Sequence, residues 1–209
     1  STSTVLEDVE IRETRADPDG EMGYGLDVFG GATVEMHGGI IDGNQRLGVM
    51  AVNPGTSVML TDVQILNTRP DEEAEAGAGI QVWNSAELVA TRCILDNNYW
   101  LGIHALQAAD IHLEEVIIRN SRLGGILTDD GALSVLSSTI EDNQGFGLAQ
   151  MGAGYTLLDD VVVRGTFPPT NFQPAQPALV AGVAVYGGQL IAVGCSLEQN
   201  SNVGMQVSG

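Results

Sequence analysis

The stretch from Asn97 to Gln150, NNYWLGIHALQAADIHLEEVIIRNSRLGGILTDDGALSVLSSTIEDNQGFGLAQ, says nearly the same thing three times. A polar pair (Asn97-Asn98, Asn120-Ser121, Asp142-Asn143) is followed by a glycine and then by an alternating apolar run (GIHA, GILT, GLAQ). Outward from this stretch the same glycine recurs as GLDV at Gly25, GVMA at Gly48, GIQV at Gly79, GVAV at Gly182 and GMQV at Gly204. Successive glycines, from Gly25 through Gly102, Gly125 and Gly147 to Gly204, are 23, 31, 23, 23, 22, 35 and 22 residues apart. Five of the seven steps are therefore one unit long, and two carry insertions. A fixed period of this size marks a stacked-repeat architecture. The apolar runs are too short for helices, alternate with period two and are punctuated by Gly and Asn, so each unit is built of strands.

Strand-only units of this length cannot bury a core alone, but stacked coils can, each pairing in parallel with the next roughly 4.8 Å away. Stacking aligns equivalent residues into columns. The column after the glycine reads Leu26, Val49, Ile80, Ile103, Ile126, Leu148, Val183, Met205. The column before the polar pair reads Ile11, Ile41, Ile65, Leu95, Ile118, Ile140, Val163, Leu197. Both are aliphatic throughout, as inward positions must be. The second polar residue (Thr14, Asn44, Thr68, Asn98, Ser121, Asn143, Thr166, Asn200) reads as a side-chain ladder at a tight turn, where Asn also tolerates positive φ.

This N-x-x-x-G-I-x-V coil resembles the repeat of right-handed parallel β-helix proteins of the pectin-lyase-like class, over residues 5–209. The expected fold is all-β: one single-stranded right-handed parallel β-helix domain spanning residues 1–209, with about eight coils of 22–23 residues. Handedness comes from the resemblance; the periodicity is silent on it. The class holds polysaccharide lyases, glycoside hydrolases, epimerases, adhesins and tailspikes, so the resemblance implies a fold and leaves the function open. The chain opens and stops inside strand-like patterns, which reads as a segment of a longer protein.

Composition narrows the function. Eight Arg, no Lys and 27 acidic residues leave a net charge of −19, which repels phosphate backbones and anionic lipid. Nucleic acid is excluded as a partner, and no apolar run is long enough for a membrane span. Polysaccharide and protein surfaces remain, with a secreted, cell-surface or periplasmic location in a bacterium as the expectation. Cys93 and Cys195 lie coils apart on one inward column and are expected to stay unpaired.

Three coils carry extra residues at one place, between the polar pair and the glycine: after Thr14, after Thr68 and after Thr166. Loops on one edge of a solenoid are where function is usually found. The strand after each glycine adjoins that edge, and its outward positions, second and fourth after the glycine, include Phe29, Met50, Val52, Trp83, Leu106, Met151 and Tyr186. An apolar outward face marks a contact surface. Either sugar rings stack there, or a second subunit or a further part of a longer chain covers it. Expected ligand-binding residues are Gln81, Trp83, Trp100, His104, Asp129 and Tyr186, with the two Trp at one end of a cleft walled by the second and third loops and Tyr186 at the other.

Chemistry is sparse. A lyase of the class uses a Lys or Arg base, and no Arg falls on the outward positions of this strand. A hydrolase needs neighbouring carboxylates, and the acidic pairs Asp129-Asp130 and Asp159-Asp160 read as turn residues. His104 beside Asp129 is the one acid–base combination on the face. The carboxylate-rich loops with Asp17, Asp19 and Glu21, and with Asp71 and Glu72, could hold a weak Ca²⁺, though they lack the ligand order of a dedicated calcium loop, and no other cofactor is implied. The leading reading is a non-catalytic extracellular module for binding or scaffolding, contacting a glycan or protein. The alternative is a polysaccharide-degrading enzyme, hydrolase before lyase, with an incomplete or atypical site.

Overall fold

The structure, a computed structural model, describes residues 2–17, 22–70, 77–169 and 180–209. A typical coil has three strands, as in Asp110–Glu114, Ile117–Arg119 and Gly124–Asp129. Every pairing between coils is parallel (Asp110 beside Ala132, Ile117 beside Thr139, Ile126 beside Leu148). Third strands form one eight-stranded sheet, one strand per coil, so the described residues make eight coils. First and second strands form a 14-stranded sheet. They are joined because in the first two coils they run on as single strands, Ser3–Arg12 and Thr33–Asp42. Those strands bend at Asp8 and at Gly38-Gly39, where φ is positive.

Both aliphatic columns read from the sequence are in register. Ile103 sits between Ile80 and Ile126, and Ile118 between Leu95 and Ile140, with all six nearly or completely buried. One continuous core runs along the axis, and Cys93 lies in it without a disulfide, as does the half-buried Cys195 at its last coil. The column three residues after the glycine turns polar at Thr128 and Gln150, and Gln150 accepts a hydrogen bond from the Thr156 hydroxyl inside the core.

The repeat glycine is required for space, not for a left-handed backbone. A Cβ on Gly102 would lie 2.4 Å from Ile118 Cγ2 and 2.7 Å from the carbonyl oxygen of Gly125 on the next coil. Gly48, Gly125 and Gly147 meet the same two neighbours, the next glycine's carbonyl and a core β-branched side chain. On the eighth coil a Cβ on Gly204 would have only Leu197 Cβ, at 4.0 Å.

The polar pair divides its work between its two residues. Positive φ falls on the first (Asn67, Asn97, Asn120, Asp142), where the chain turns. The second is the buried ladder, and it works in pairs of coils. Asn143 Oδ1 accepts the Ser121 N–H at 2.9 Å while its Nδ2 donates to the Ile118 carbonyl at 3.1 Å. Asn98 serves Thr68 and Ile65, Asn44 serves Thr14 and Ile11, and Asn200 serves Thr166 and Val163 in the same way. The ladder expected to tolerate positive φ is thus a Thr/Ser–Asn alternation with ordinary backbone, and the turn is made by its predecessor.

Two contrasts test this account. Gly102→Ala should destabilise by about 1–3 kcal/mol through overpacking against fixed backbone, while Gly204→Ala, in the same column, should be near neutral; urea unfolding of both variants decides. Asn143→Ala strips partners from two buried backbone groups and should cost roughly 2–4 kcal/mol. Ser121→Ala removes a buried hydroxyl that has no partner, so its unfolding midpoint should stay level or rise.

Candidate functional site

The outward side of the third-strand sheet is not one open face. Because a Cβ at the glycine would point at a core side chain, the glycine and the residue after it both face inward. The residue before the glycine is then turned outward beside the second residue after it. Leu47, Ala78, Leu101, Phe146 and Ala181 consequently pack with Met50, Ala149 and Ala184 into a second, outer apolar cluster. Period-two alternation, which breaks at the glycine, hid this cluster. Met50, His104, Ala149 and Ala184, expected to be open, are buried.

The fourth position after the glycine does remain open. It runs in register as Phe29, Val52, Trp83, Leu106 on one side and Asp129, Met151, Tyr186, Ser208 on the other. Phe29 is 62% exposed, Met151 40% and Trp83 38%. This is an apolar ridge along the far edge of the sheet, away from the insertions.

The expected ligand residues are therefore split. Trp83 pairs with Leu106 at the end of the strand, whereas Trp100 precedes its start; the two indoles stand at opposite edges, roughly 20 Å apart along the strand. Gln81 is half-buried beside His104. Tyr186 and Asp129 lie on the far-edge ridge with Met151. His104 is in register with Gln81 and Leu127, and Asp129 is two residues further along the next strand. That diagonal, about 8 Å from the strand rise and spacing, does not make an acid–base pair.

His104 itself is packed edge-on against the Trp100 ring, with centroids 5.1 Å apart and planes at 83°. Its Nδ1 is buried without a hydrogen-bond partner. Burial pushes its pKa down to about 4, so the ring is neutral at pH 7. His37 and His112 are on the first-strand sheet: His37 is exposed, 3.7 Å from Glu35, and His112 stacks between Val89 and Ser134. Asp130 is a turn residue, with positive φ and a carboxylate accepting the Ala153 N–H.

The insertions leave the corner between second and third strands, as the spacing requires. The first is pinned by an antiparallel bridge, Ala16 to Met22. Of the residues considered for Ca²⁺, Asp17 is at the base of this insertion, whereas Asp19, Glu21, Asp71 and Glu72 lie outside the described residues, as do most of the two loops expected to wall a cleft. Among the described residues no group of three or more His, Cys, Asp or Glu side chains is placed to hold a metal ion, and no helix is long and apolar enough to cross a membrane.

At that corner the structure reveals a site the sequence reading missed. The residue after each ladder position forms its own column: Arg15, Gln45, Arg69, Tyr99, Arg122, Gln144, Phe167, Ser201. Backbone bonds hold it coil to coil, Gln45 N–H to the Thr14 carbonyl, Arg69 N–H to Asn44 and Tyr99 N–H to Thr68. Two adjoining hollows follow the column. One, of about 210 Å³, is lined by Thr14, Arg15, Gly43, Gln45, Arg69 and Pro70. The other, of about 230 Å³, is lined by Asn67, Thr68, Arg69, Pro70, Asn97, Tyr99 and Arg122. The Arg122 guanidinium lies 5.0 Å over the Tyr99 ring. Asn97 Nδ2 donates to Asn67 Oδ1 at 2.7 Å, which fixes both amides along the wall.

Four of the other five arginines are used differently. Arg12 and Asp42, and beyond Leu66 the run Asp96, Arg119, Glu141, Arg164, share one second-strand column, and the three arginines are ion-paired there. Arg92 is paired with Asp62. The lead to the corner column was present in the sequence, since the ladder alignment places Arg15, Arg69 and Arg122 in one file once the residue after each rung is read downward.

Comparison with known proteins agrees with the architecture. Residues 78–209 match the family model described as a right-handed β-helix region. No curated protein matches the sequence. Among solved structures, QnrB1, a plasmid-mediated fluoroquinolone resistance protein, is similar at 10% identity over 91% of this chain and 92% of that one, with a TM-score of 0.26. Superposition that loose transfers no property.

His104 yields a pH prediction. Its folded pKa of about 4 lies below the ordinary 6.5, so the unfolded chain takes up the proton first. The stability conferred by a neutral His104 is complete above about pH 6.5 and is lost as the pH falls toward 4. Relative to wild type, His104→Leu should therefore gain about 2–3 kcal/mol between pH 7.5 and 4.5. Urea unfolding at both pH values measures the difference, in which the response of the carboxylates cancels.

Proposed function

The chain belongs to the right-handed β-helix family, and from that premise we propose that it is a non-catalytic module that binds a glycan along the corner between its second and third strands, outside the cell or at its surface. The observation that carries this is the pair of adjoining hollows there, which interleave an aromatic ring with amides, hydroxyls and guanidinia in the way sugar rings and their hydroxyls require. Stacked coils present these groups at a constant rise, so a linear polymer lying along the axis meets the same chemistry repeatedly. A hydrolytic reading is less well supported, because His104 is enclosed and stands in register with Gln81 and Leu127 rather than with a carboxylate.

The exposed ridge of Phe29, Trp83 and Met151 favours a second contact, with a protein surface, on the far edge of the same sheet. Affinity electrophoresis against a panel of soluble neutral and acidic polysaccharides separates the two. Tyr99→Ala should lower glycan affinity at least about tenfold, and Trp83→Ala should leave it unchanged. Loss of glycan binding on Trp83→Ala alone would move the glycan to the ridge. Failure of every polysaccharide to bind would sink the glycan reading.

A further inference from the structure

We infer that the apolar ridge on the far edge of the third-strand sheet docks a cationic protein, whose apolar side chains meet Val52, Trp83 and Leu106 and whose Arg or Lys side chains meet Glu87 and Asp110; this rests on the protein contact given to the ridge above and names the partner's chemistry. The stripe is continuous. Phe29, Val52, Trp83 and Leu106 stand in register on the first four coils, a run of roughly 14 Å at the spacing between parallel strands. Phe29 and Trp83 are exposed, and Val52 and Leu106 are half-buried. Large apolar side chains in one open file are the material of an interface centre.

Charge selects the partner. Past Trp83 the chain makes a tight turn, closed by the Ala86 N–H on the Trp83 carbonyl, and starts the next strand with Glu87. Glu87 therefore lies within about 11 Å of Trp83 along the backbone. One coil on, Leu106 and Asp110 repeat the arrangement, because Leu106 is in register with Trp83 and Asp110 with Glu87. Two exposed carboxylates are thus stacked on adjacent strands, where like charges oppose folding. Neither is ion-paired to a described residue. The second-strand run Asp96, Arg119, Glu141, Arg164 is the contrary case, in which each charge meets its opposite. No cation of this chain is available at the ridge. Arg12, Arg119 and Arg164 are in second strands, Arg92 is at the bend before one, and Arg15, Arg46, Arg69 and Arg122 lie between second and third strands. A second copy, itself at −19 with the same acidic edge, meets repulsion there. A partner with Arg or Lys around an apolar centre relieves the Glu87–Asp110 repulsion as it covers the indole, and the field of the whole chain steers its approach.

The test titrates short fluorescein-labelled peptides by fluorescence anisotropy at low and moderate NaCl. One peptide is built of Leu, Phe and Arg. In a second every Arg is replaced by Glu, in a third every Arg by Ser, and in a fourth every Leu and Phe by Ser. A labelled chitosan hexamer is the cationic probe that is not a protein. The Leu/Phe/Arg peptide should bind tightest and weaken as salt rises. Trp83→Ala should lower its affinity at least about tenfold, and Glu87→Gln and Asp110→Asn about fivefold each. Glu114→Gln, the same charge change at the other end of the Asp110 strand, should leave it unchanged. Urea unfolding of Glu87→Gln and Asp110→Asn should show stability equal to wild type or higher, a pairing of lost affinity with kept stability that a structural role for the two carboxylates does not produce. Equal binding of the Ser or Glu replacement of Arg, still lost on Trp83→Ala, overturns the cationic partner and leaves a protein contact at the ridge. Equal binding of the peptide without Leu and Phe overturns the role of the stripe. Tightest binding by the chitosan hexamer overturns the protein. A dimer in sedimentation equilibrium that Trp83→Ala dissolves makes the occupant a second copy and overturns the inference. Binding of no peptide overturns both the inference and the ridge contact beneath it, while the glycan reading of the corner is untouched.

Discussion

Everything in this molecule depends on the close approach of one coil to the next at the repeat glycine. There the chain passes from the polar corner into the third strand, and backbone, core side chain and ladder amide converge on a volume with no room for a methyl group. Gly25, Gly79 and Gly182 would each drive a Cβ to within 2.6–2.8 Å of an asparagine Nδ2 and of the next coil's carbonyl. Only glycine lets parallel strands keep their spacing at this point, and the inward turn it permits sets which residues lie outside. The outer apolar cluster of Leu101, Phe146 and their neighbours is a direct result of that turn.

Once coils are stacked at a constant rise, any residue type that recurs with the repeat becomes a column, and its chemistry is decided by what it meets there. Aliphatic columns become core. Asparagines alternate with Thr or Ser and satisfy the backbone of the coil before, so the corner can be buried without orphaned amides. Charges of alternating sign on the second strands neutralise one another. Arginines alternating with uncharged residues at the corner do not neutralise anything within their file, and there the surface opens into hollows. Structural and recognition surfaces thus follow from one rule and differ only in whether neighbouring rungs are complementary.

What the sequence determined by itself is what depends on period alone. The coil length, the eight-coil parallel architecture, the registers through Ile103 and Ile118, the corner from which insertions emerge and the unpaired cysteines all follow from the recurrence of glycine, polar pair and alternating aliphatics, because parallel stacking converts equal spacing in sequence into contact in space. Tertiary structure alone decided which outward residues are covered. His104 and Met50 are shut in while Phe29 and Trp83 stay open, since alternation is broken at the glycine and burial depends on side chains from other coils. It decided too that Trp83 and Trp100 stand at opposite edges of a sheet and that the surface beside Arg15, Arg69 and Arg122 opens into hollows: the spacing of the arginines in sequence sets their column but not what covers it.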